Sequence, residues 1–389
     1  MDHFRHLRIL APVRYPWGFN SPRGSIHTID IKTFIPFNKI SSRMDGVTVF
    51  NNLPFKRYDL IHAFNRIPLG LTPFIIGFES HLPRAFGLER SAYFRWLSGI
   101  LASDRCRKII CISNHARLIF NDMHTESPFF PSLAAKLITR YPNLPVPAED
   151  DAMAGKPQAP LTITFVGGHF GRKGGCVAVR MAELALSRNV PIAVNIVSDL
   201  QAGPGIWTDP MEANFFEPYF KLLNLPNVRH YSALPNARVL ELLRQSHFSI
   251  LTTFSDTFGY SAIESMMNFT PVIATRQGAL PEFIHHGENG ILLDLPTNSL
   301  GEWTAPKILS RRDSRYKAVY AEEIDRLAEE ALSALVAIMN EPDGLKRLRL
   351  GARKTAAAMF SAADARPFWD ALYEESAALS QDGRPNLAA

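Results

Sequence analysis

The feature that most limits what this chain can fold into is a repeated alternation of two patterns. Short apolar runs recur along it, and longer segments with apolar residues at helical spacing separate them. A run that is apolar throughout, rather than at every second position, has to be covered on both faces, as a strand inside a parallel sheet is. Such runs fall at 7–13, 47–50, 60–64, 74–78 and 108–113, and again at 161–166, 192–197, 248–252 and 270–274. Helical spacing is read at 89–103, 177–186, 237–245, 261–268 and 322–339, with a last helix near 363–379. Strand–helix alternation in both halves predicts an α/β protein with two Rossmann-like, doubly wound sheets. Ligands of such sheets lie beyond the carboxyl ends of strands, so a cleft between the halves is the expected site.

The stretch 141–160 interrupts the alternation with five prolines and an acidic cluster at 149–151. Prolines at that density break regular elements. It is the expected boundary between an N-terminal domain over 1–155 and a second over 156–360. A helix within 361–389 is expected to pack back towards the first domain before a frayed tail. Two cores of ordinary size suit 389 residues. Three cysteines, Cys106, Cys111 and Cys176, offer neither a disulfide framework nor a zinc pattern, so a reducing, cytoplasmic setting is expected. The first residues lack the apolar core of a signal peptide, and no run of about 18 apolar residues occurs. The apolar stretch 67–78 is interrupted by Pro68, Gly70, Pro73 and Gly77.

Charge is unevenly shared. Residues 1–150 hold 19 Lys and Arg against 11 Asp and Glu, whereas 151–389 hold 23 against 26. A basic half beside a mildly acidic one implies an anionic partner. The basic-aromatic modules of nucleic-acid readers are missing, so no nucleic acid is expected; an anionic lipid surface or a phosphorylated acceptor fits better. Arg84, Arg90, Arg95, Arg105, Arg107 and Lys108 surround the aromatic-rich helix at 89–103. Peripheral contact with the inner face of a membrane is therefore expected, against the alternative of a solvated basic helix packed by Phe94 and Trp96.

Three segments of the second half carry chemistry. In Phe165-Val-Gly-Gly-His-Phe-Gly-Arg-Lys-Gly-Gly175 a strand runs through glycines, Gly168 among them, into a helix. Glycines admit close backbone approach and a helix start offers unpaired N–H groups. Arg172 and Lys173 add two mobile cations, which together suit a diphosphate. The pattern is neither a dinucleotide fingerprint nor a Walker loop; as plain punctuation it is a solvated turn with two surface cations. In Thr252-Thr-Phe-Ser-Asp-Thr-Phe-Gly-Tyr-Ser-Ala-Ile-Glu-Ser-Met266 a polar loop carries Asp256 and Gly259, and a helix begins near Ser261. Asp256 can address a sugar, and Glu264, about one turn into the helix, a ribose diol. The amides of Gly259, Tyr260 and Ser261 would point at a phosphate. Otherwise Asp256 is a helix cap and Glu264 a solvated face residue. Residues 271–293 form a strand, a glycine loop, a short helix opened by Pro281-Glu282, and a turn at Gly287 and Gly290 into another strand.

In this order and spacing the three segments resemble the retaining nucleotide-sugar glycosyltransferases of family 4 (group 1), which have the GT-B fold of two domains facing across a cleft. The likeness is carried by Phe-Val-Gly-Gly…Arg172-Lys173-Gly174, by Asp256-x-Phe-Gly259-x-x-x-x-Glu264-Ser-Met266, and by Pro271-Val-Ile-Ala…Gly278…Pro281-Glu282…Gly287-x-Asn-Gly290. It covers roughly 160–295; the first 150 residues match in outline.

The resemblance implies transfer of a sugar from a nucleotide sugar to a hydroxyl of a glycan, lipid-linked glycan or small glycoside, polysaccharide biosynthesis being one setting. Retention, metal independence and no cofactor beyond the nucleotide sugar are implied with it. It assigns Arg172 and Lys173 to the diphosphate, Glu264 to the ribose hydroxyls, and Gly259, Tyr260 and Ser261 to the border of phosphate and sugar. Asp256 stands where the family usually has Glu, and would orient the sugar. Gly24 is taken as the counterpart of the family's N-terminal Gly-Gly loop, and His81 as an acceptor-side or sugar-contacting group. The loops 14–25, 79–90 and 199–218 would choose base, sugar and acceptor. Rival readings are a nucleotide-sugar epimerase of the same fold, which needs no acceptor, and a non-catalytic nucleotide-sugar binder.

Overall fold

The computed structural model describes residues 5–13, 16–35, 37–39, 41, 44–50, 56–147, 160–212 and 214–378. The acidic cluster at 149–151 and the tail at 380–389 lie outside them. The chain divides into two compact units, one made of 1–145 with 360–389 and the other of 146–359.

The first unit contains β1 (Arg8–Pro12), β2 (Thr28–Lys32), β3 (Phe34–Ile35), β4 (Val47–Phe50), β5 (Leu60–Phe64), β6 (Ile67–Pro68), β7 (Phe74–Phe78), β8 (Cys106–Cys111) and β9 (Leu137–Thr139). Six of these form a parallel sheet in the order β2-β1-β5-β7-β8-β9. β5 and β7 are buried at all five positions, as unbroken apolar runs require. At Gly77 a Cβ would come within 2.8 Å of the Phe64 ring, so glycine is what lets that ring lie against the neighbouring strand.

Two strands depart from the sequence pattern. β4 does not join the main sheet; it pairs antiparallel with β3 and parallel with β6 in a separate three-stranded sheet. Only its first two residues are fully buried, so it does not need cover on both faces. β2 is a partly exposed edge strand, and its Thr-Ile-Asp-Ile-Lys sequence alternates instead of running apolar.

The helices Ala92–Ala102 and Asn114–His124 start at Ser91 and Ser113, whose hydroxyls accept from the Phe94 and Ala116 amides, satisfying orphan N–H groups. The last helix, Ala362–Ala378, buries Ala365, Trp369, Leu372, Tyr373 and Ala377 with Leu7, Ile9, Leu60, Ile75 and Ile110 of this sheet. The Tyr373 hydroxyl lies 2.8 Å from His62 Nδ1. Burial pushes His62 down to about 3, so its ring is neutral.

The second unit contains β10 (Leu161–Val166), β11 (Ile192–Val197), β12 (Val228–Tyr231), β13 (Phe248–Leu251), β14 (Val272–Thr275) and β15 (Gly290–Leu293). They form one parallel sheet in the order β12-β11-β10-β13-β14-β15. The chain enters at the middle, builds outward to β12, then crosses to β13, so the winding reverses between β10 and β13. The helices Gly175–Ser187 and Ser314–Met339 share one apolar cluster with this sheet, including Phe165, Val177, Met181, Ile250, Tyr320 and Leu327. The longer helix begins well before the expected 322 because Asp313 caps it, accepting from the Arg315 amide. Among the described residues no helix is long and apolar enough to cross a membrane.

Candidate functional site

β10 and β13 flank the reversal of winding, where a sheet of this kind is expected to leave a crevice beyond the strands' carboxyl ends. The β10 loop is laid directly onto the end of β13. Gly174 has φ +85°, and a Cβ there would sit 2.3 Å from the Thr252 carbonyl oxygen, so no other residue fits without moving backbone. Backbone and side-chain bonds hold the two loops together. The Arg172 carbonyl accepts from the Phe254 amide at 2.8 Å and the Thr253 hydroxyl at 3.0 Å.

This stitching brings the three charged residues together. Lys173 Nζ lies 2.9 Å from Asp256 Oδ2, with both side chains mostly buried. Asp256 Oδ1 accepts from the Thr257 amide at 2.9 Å, and the Asp256 amide donates to Gln277 Oε1 at 2.9 Å. Burial acts to raise the Asp256 carboxyl, but the charges of Lys173 and Arg172 and its hydrogen bonds outweigh it and hold it below the usual range. Asp256 is therefore an ionised carboxylate. It is not the helix cap: that place belongs to Gly259, at φ +88°, with no side-chain capping bond.

Arg172 is buried and pinned rather than mobile. Its Nε donates to His169 Nδ1 at 2.9 Å, its Nη1 donates to the Ser255 carbonyl, and its guanidinium stacks on the Trp207 ring at 4.5 Å. Burial and then the charges of Arg172 and Lys173 hold His169 below its ordinary value, which keeps Nδ1 an acceptor. Gly168 joins the arrangement from the β11 side; its carbonyl accepts from the Gln201 amide at 3.0 Å.

The helix Tyr260–Met267 starts at this crevice. The Tyr260 side chain is buried against Phe258, which leaves its backbone as the group at the helix start. Ser261 and Glu264 are half-buried, and Glu264 Oε1 accepts from Asn236 Nδ2 at 3.3 Å. Glu264 is thus tied to the helix Asn236–Gln245, which follows β12.

His81 and Gly24 belong to the first unit. His81 follows β7, its Nδ1 3.0 Å from the Ser80 hydroxyl and its ring beside Phe86. Gly24 has φ +113° with open space around it. The winding of the first sheet also reverses, between β1 and β5, and a cavity of about 300 Å³ lies there. It is lined by Pro12, Phe34, Thr48, Phe64, Asn65 and Glu79, with Pro16, Phe50, Arg66 and Arg84 around them. Neither His81 nor Gly24 is among its lining residues. Among the described residues the buried Thr48 hydroxyl has no hydrogen-bond partner, and Asn65 has φ +60°.

Sequence reasoning singled out neither His169 nor Gln277, and it reached Trp207 only as part of the loop 199–218. His169 lies three residues before Arg172, within the glycine segment, and could have been found there. Trp207 and Gln277 are remote in sequence from what they touch and carry no local signal.

Two Rossmann-like units with parallel sheets give the α/β architecture of the GT-B fold. Residues 148–319, less than half of the chain and lying in the second unit, match the family model for "Glycosyl transferases group 1". The structure is similar to that of a glycosyltransferase from Rickettsia africae (TM-score 0.63, 15% identity, 96% of this chain and 99% of that one). It is also similar to Anabaena HepE in complex with UDP and glucose (TM-score 0.55, 12% identity, 97% and 100%). At such identities the likeness speaks for the fold. Among curated proteins, the D-inositol 3-phosphate glycosyltransferase of Thermobifida fusca is 28% identical over 150 residues, 38% of this chain and 34% of that protein. The N-acetyl-alpha-D-glucosaminyl L-malate synthase of Bacillus anthracis is 39% identical over 57 residues, 15% of each. The chain thus spans about a third or less of the length of these curated relatives.

Proposed function

We propose that this chain is a glycosyltransferase of the GT-B type that takes its sugar from a nucleotide sugar bound at the β10–β13 crevice. The observation that carries the reading is the Lys173–Asp256 pair, 2.9 Å apart, set beside a helix start without a side-chain cap. An ammonium, a fixed guanidinium and a helix N-terminus attract a diphosphate, and an ionised carboxylate beside them can accept sugar hydroxyls. The relatives named above as glycosyltransferases and the neighbour holding UDP and glucose support the same donor class.

In the reaction, the bond between the anomeric carbon and the diphosphate oxygen breaks, and its electron pair stays on that oxygen. The acceptor hydroxyl oxygen bonds to the anomeric carbon, and its proton leaves to the departing phosphate. Lys173 stabilises the developing phosphate charge, exchanging Asp256 for the phosphate as its partner. Arg172, held by its Nε and Nη1 bonds, contributes a fixed positive field. Asp256, released from the ammonium, orients the sugar and favours cationic character at its ring. Glu264 holds the ribose. The two cations take the place of a metal ion, and attack on the face the phosphate leaves gives retention.

The acceptor enters the first unit. Its cavity combines the aromatic faces of Phe34, Phe50 and Phe64 with Asn65, Glu79 and the buried Thr48 hydroxyl, a mixture suited to a polyhydroxylated or glycosidic acceptor. A membrane contact is favoured by one observation: on the helix Ala92–Ala102, Trp96 is 50% exposed beside exposed Arg95. The rest of the expected basic cluster is dispersed, with Arg84 paired to Asp45, Arg105 bonded to the Pro68 carbonyl and Lys108 paired to Glu375.

Arg172→Ala with Lys173→Ala tests the reading. Turnover of a nucleotide sugar should fall at least about a hundredfold, with the circular dichroism spectrum unchanged. A double variant that keeps full turnover sinks the diphosphate assignment. Incubation with donor alone separates transfer from epimerisation, since an epimerised nucleotide sugar without acceptor identifies the rival reading.

A further inference from the structure

Trp207 is 56% exposed on a loop built to hold it there. Its chain neighbours Ile206 and Thr208 are buried, and so is Asp209. The Asp209 carboxylate accepts from the Gly203 amide at 2.9 Å, from the Thr208 hydroxyl at 3.3 Å and from the Tyr320 hydroxyl at 3.3 Å. Arg311 donates to the Asp209 carbonyl at 2.6 Å and to the Pro204 carbonyl at 3.1 Å. The Tyr316 hydroxyl donates to the Thr208 carbonyl. A loop fixed at so many points does not expose a large apolar ring for want of a place to bury it.

The indole is placed with equal care. The Arg172 guanidinium lies 4.5 Å from its ring centroid, and its Nε1 donates to the Ser255 hydroxyl at 3.4 Å. Ser255 immediately precedes Asp256, so Trp207 stands on the Asp256 side of the crevice. Glu264 is bonded instead to Asn236. If Asp256 takes sugar hydroxyls and Glu264 the ribose, the exposed part of the indole borders the sugar and not the nucleoside.

We propose that Trp207 is a specificity-determining residue, a wall on which the apolar C–H face of the donor's pyranose packs while Asp256 receives its hydroxyls. This rests on the donor reading above and deepens it. A flat aromatic wall rewards sugars whose ring hydroxyls leave one face free, and it penalises those with a bulky or axial substituent on that face. The contact is absent when nucleoside diphosphate binds without sugar.

The test compares wild type with Trp207→Ala and Trp207→Phe in binding and steady-state assays. UDP, UDP-glucose, UDP-galactose and UDP-N-acetylglucosamine form one probe series, and GDP, GDP-glucose and GDP-mannose another. With Trp207→Ala, KM for the preferred nucleotide sugar should rise roughly tenfold and the ratio of kcat/KM between sugars on one base should flatten. Affinity for the free diphosphate should change less than about twofold, and Trp207→Phe should restore most of the preference. Wild-type tryptophan emission should respond to the nucleotide sugar beyond its response to the diphosphate, and Trp207→Phe should abolish that extra response. Equal losses for the diphosphate and for every sugar would mean that Trp207 only positions Arg172, which overturns the assignment while leaving the donor reading intact. A wild-type protein that binds neither series removes the donor reading, and this inference with it.

Discussion

The two units use one winding plan and place opposite chemistry at the point where it reverses. In the second unit the reversal between β10 and β13 collects Arg172, Lys173 and Asp256. In the first, the reversal between β1 and β5 opens onto phenylalanine faces, and Arg66 and Arg84 there share the single carboxylate of Asp45. The sheet fixes where a ligand can sit, while the loops decide what kind it is. The family-model match, 148–319, lies over the second unit.

The units also differ in how they are closed, and the largest expected effect breaks that difference. Trp369 comes from the far end of the chain to fill the first sheet's cluster. Trp369→Ala should cost about 3–5 kcal/mol in that unit. Hydrogen exchange should then quicken in β5 and β7 and stay slow in β10 and β13; equal acceleration in both sheets would contradict the division into separate units.

A smaller effect sharpens the comparison through acid. His62 is held down to about 3 by burial, so the unfolded state binds its proton first, and the first unit loses stability as pH falls below the ordinary histidine value. Asp209 is pushed up to about 6, chiefly by burial. Its folded form binds the proton first, so the second unit gains stability as pH falls through about 6. Between pH 7 and 5 the first unit should lose about 2 kcal/mol and the second gain about 1 kcal/mol. Hydrogen exchange at the two pH values reads both, and Asp209→Asn should flatten the second response. Both units weakening alike would show that neither group governs.

The smallest effect concerns the surface. Trp96→Ala with Arg95→Ala should reduce binding to vesicles containing anionic lipid by roughly thirtyfold at low salt, at about 1 kcal/mol for each surface contact. Flotation reads this, and a wild type that stays unbound at low salt ends the membrane reading.

Much of the second unit was legible because its constraints are local. Gly174 and Gly259 announce left-handed turns in their own neighbourhood, and Arg172, Lys173 and Asp256 lie on strand exits that the apolar runs mark. Trp207 was hidden because its partner stands 35 residues away, and no periodicity links a loop residue to the guanidinium it covers. The first unit was harder. β2 is half-exposed and β3 is two residues long, so neither produces an apolar run, and β4 offers a run that belongs to a different sheet. The 300 Å³ cavity is assembled from five separate stretches of chain between Pro12 and Arg84, and side chains that meet only in space leave no spacing to read.

The helix Ala362–Ala378 sets an order on synthesis. A ribosome makes the first sheet before the second unit and the helix that seals it after, with the whole second unit emerging in between. Until then the nascent N-terminal segment carries Leu7, Ile9, Leu60 and Ile75 without their cover. Chaperone engagement should therefore begin when the first sheet emerges and end only when the helix Ala362–Ala378 is released.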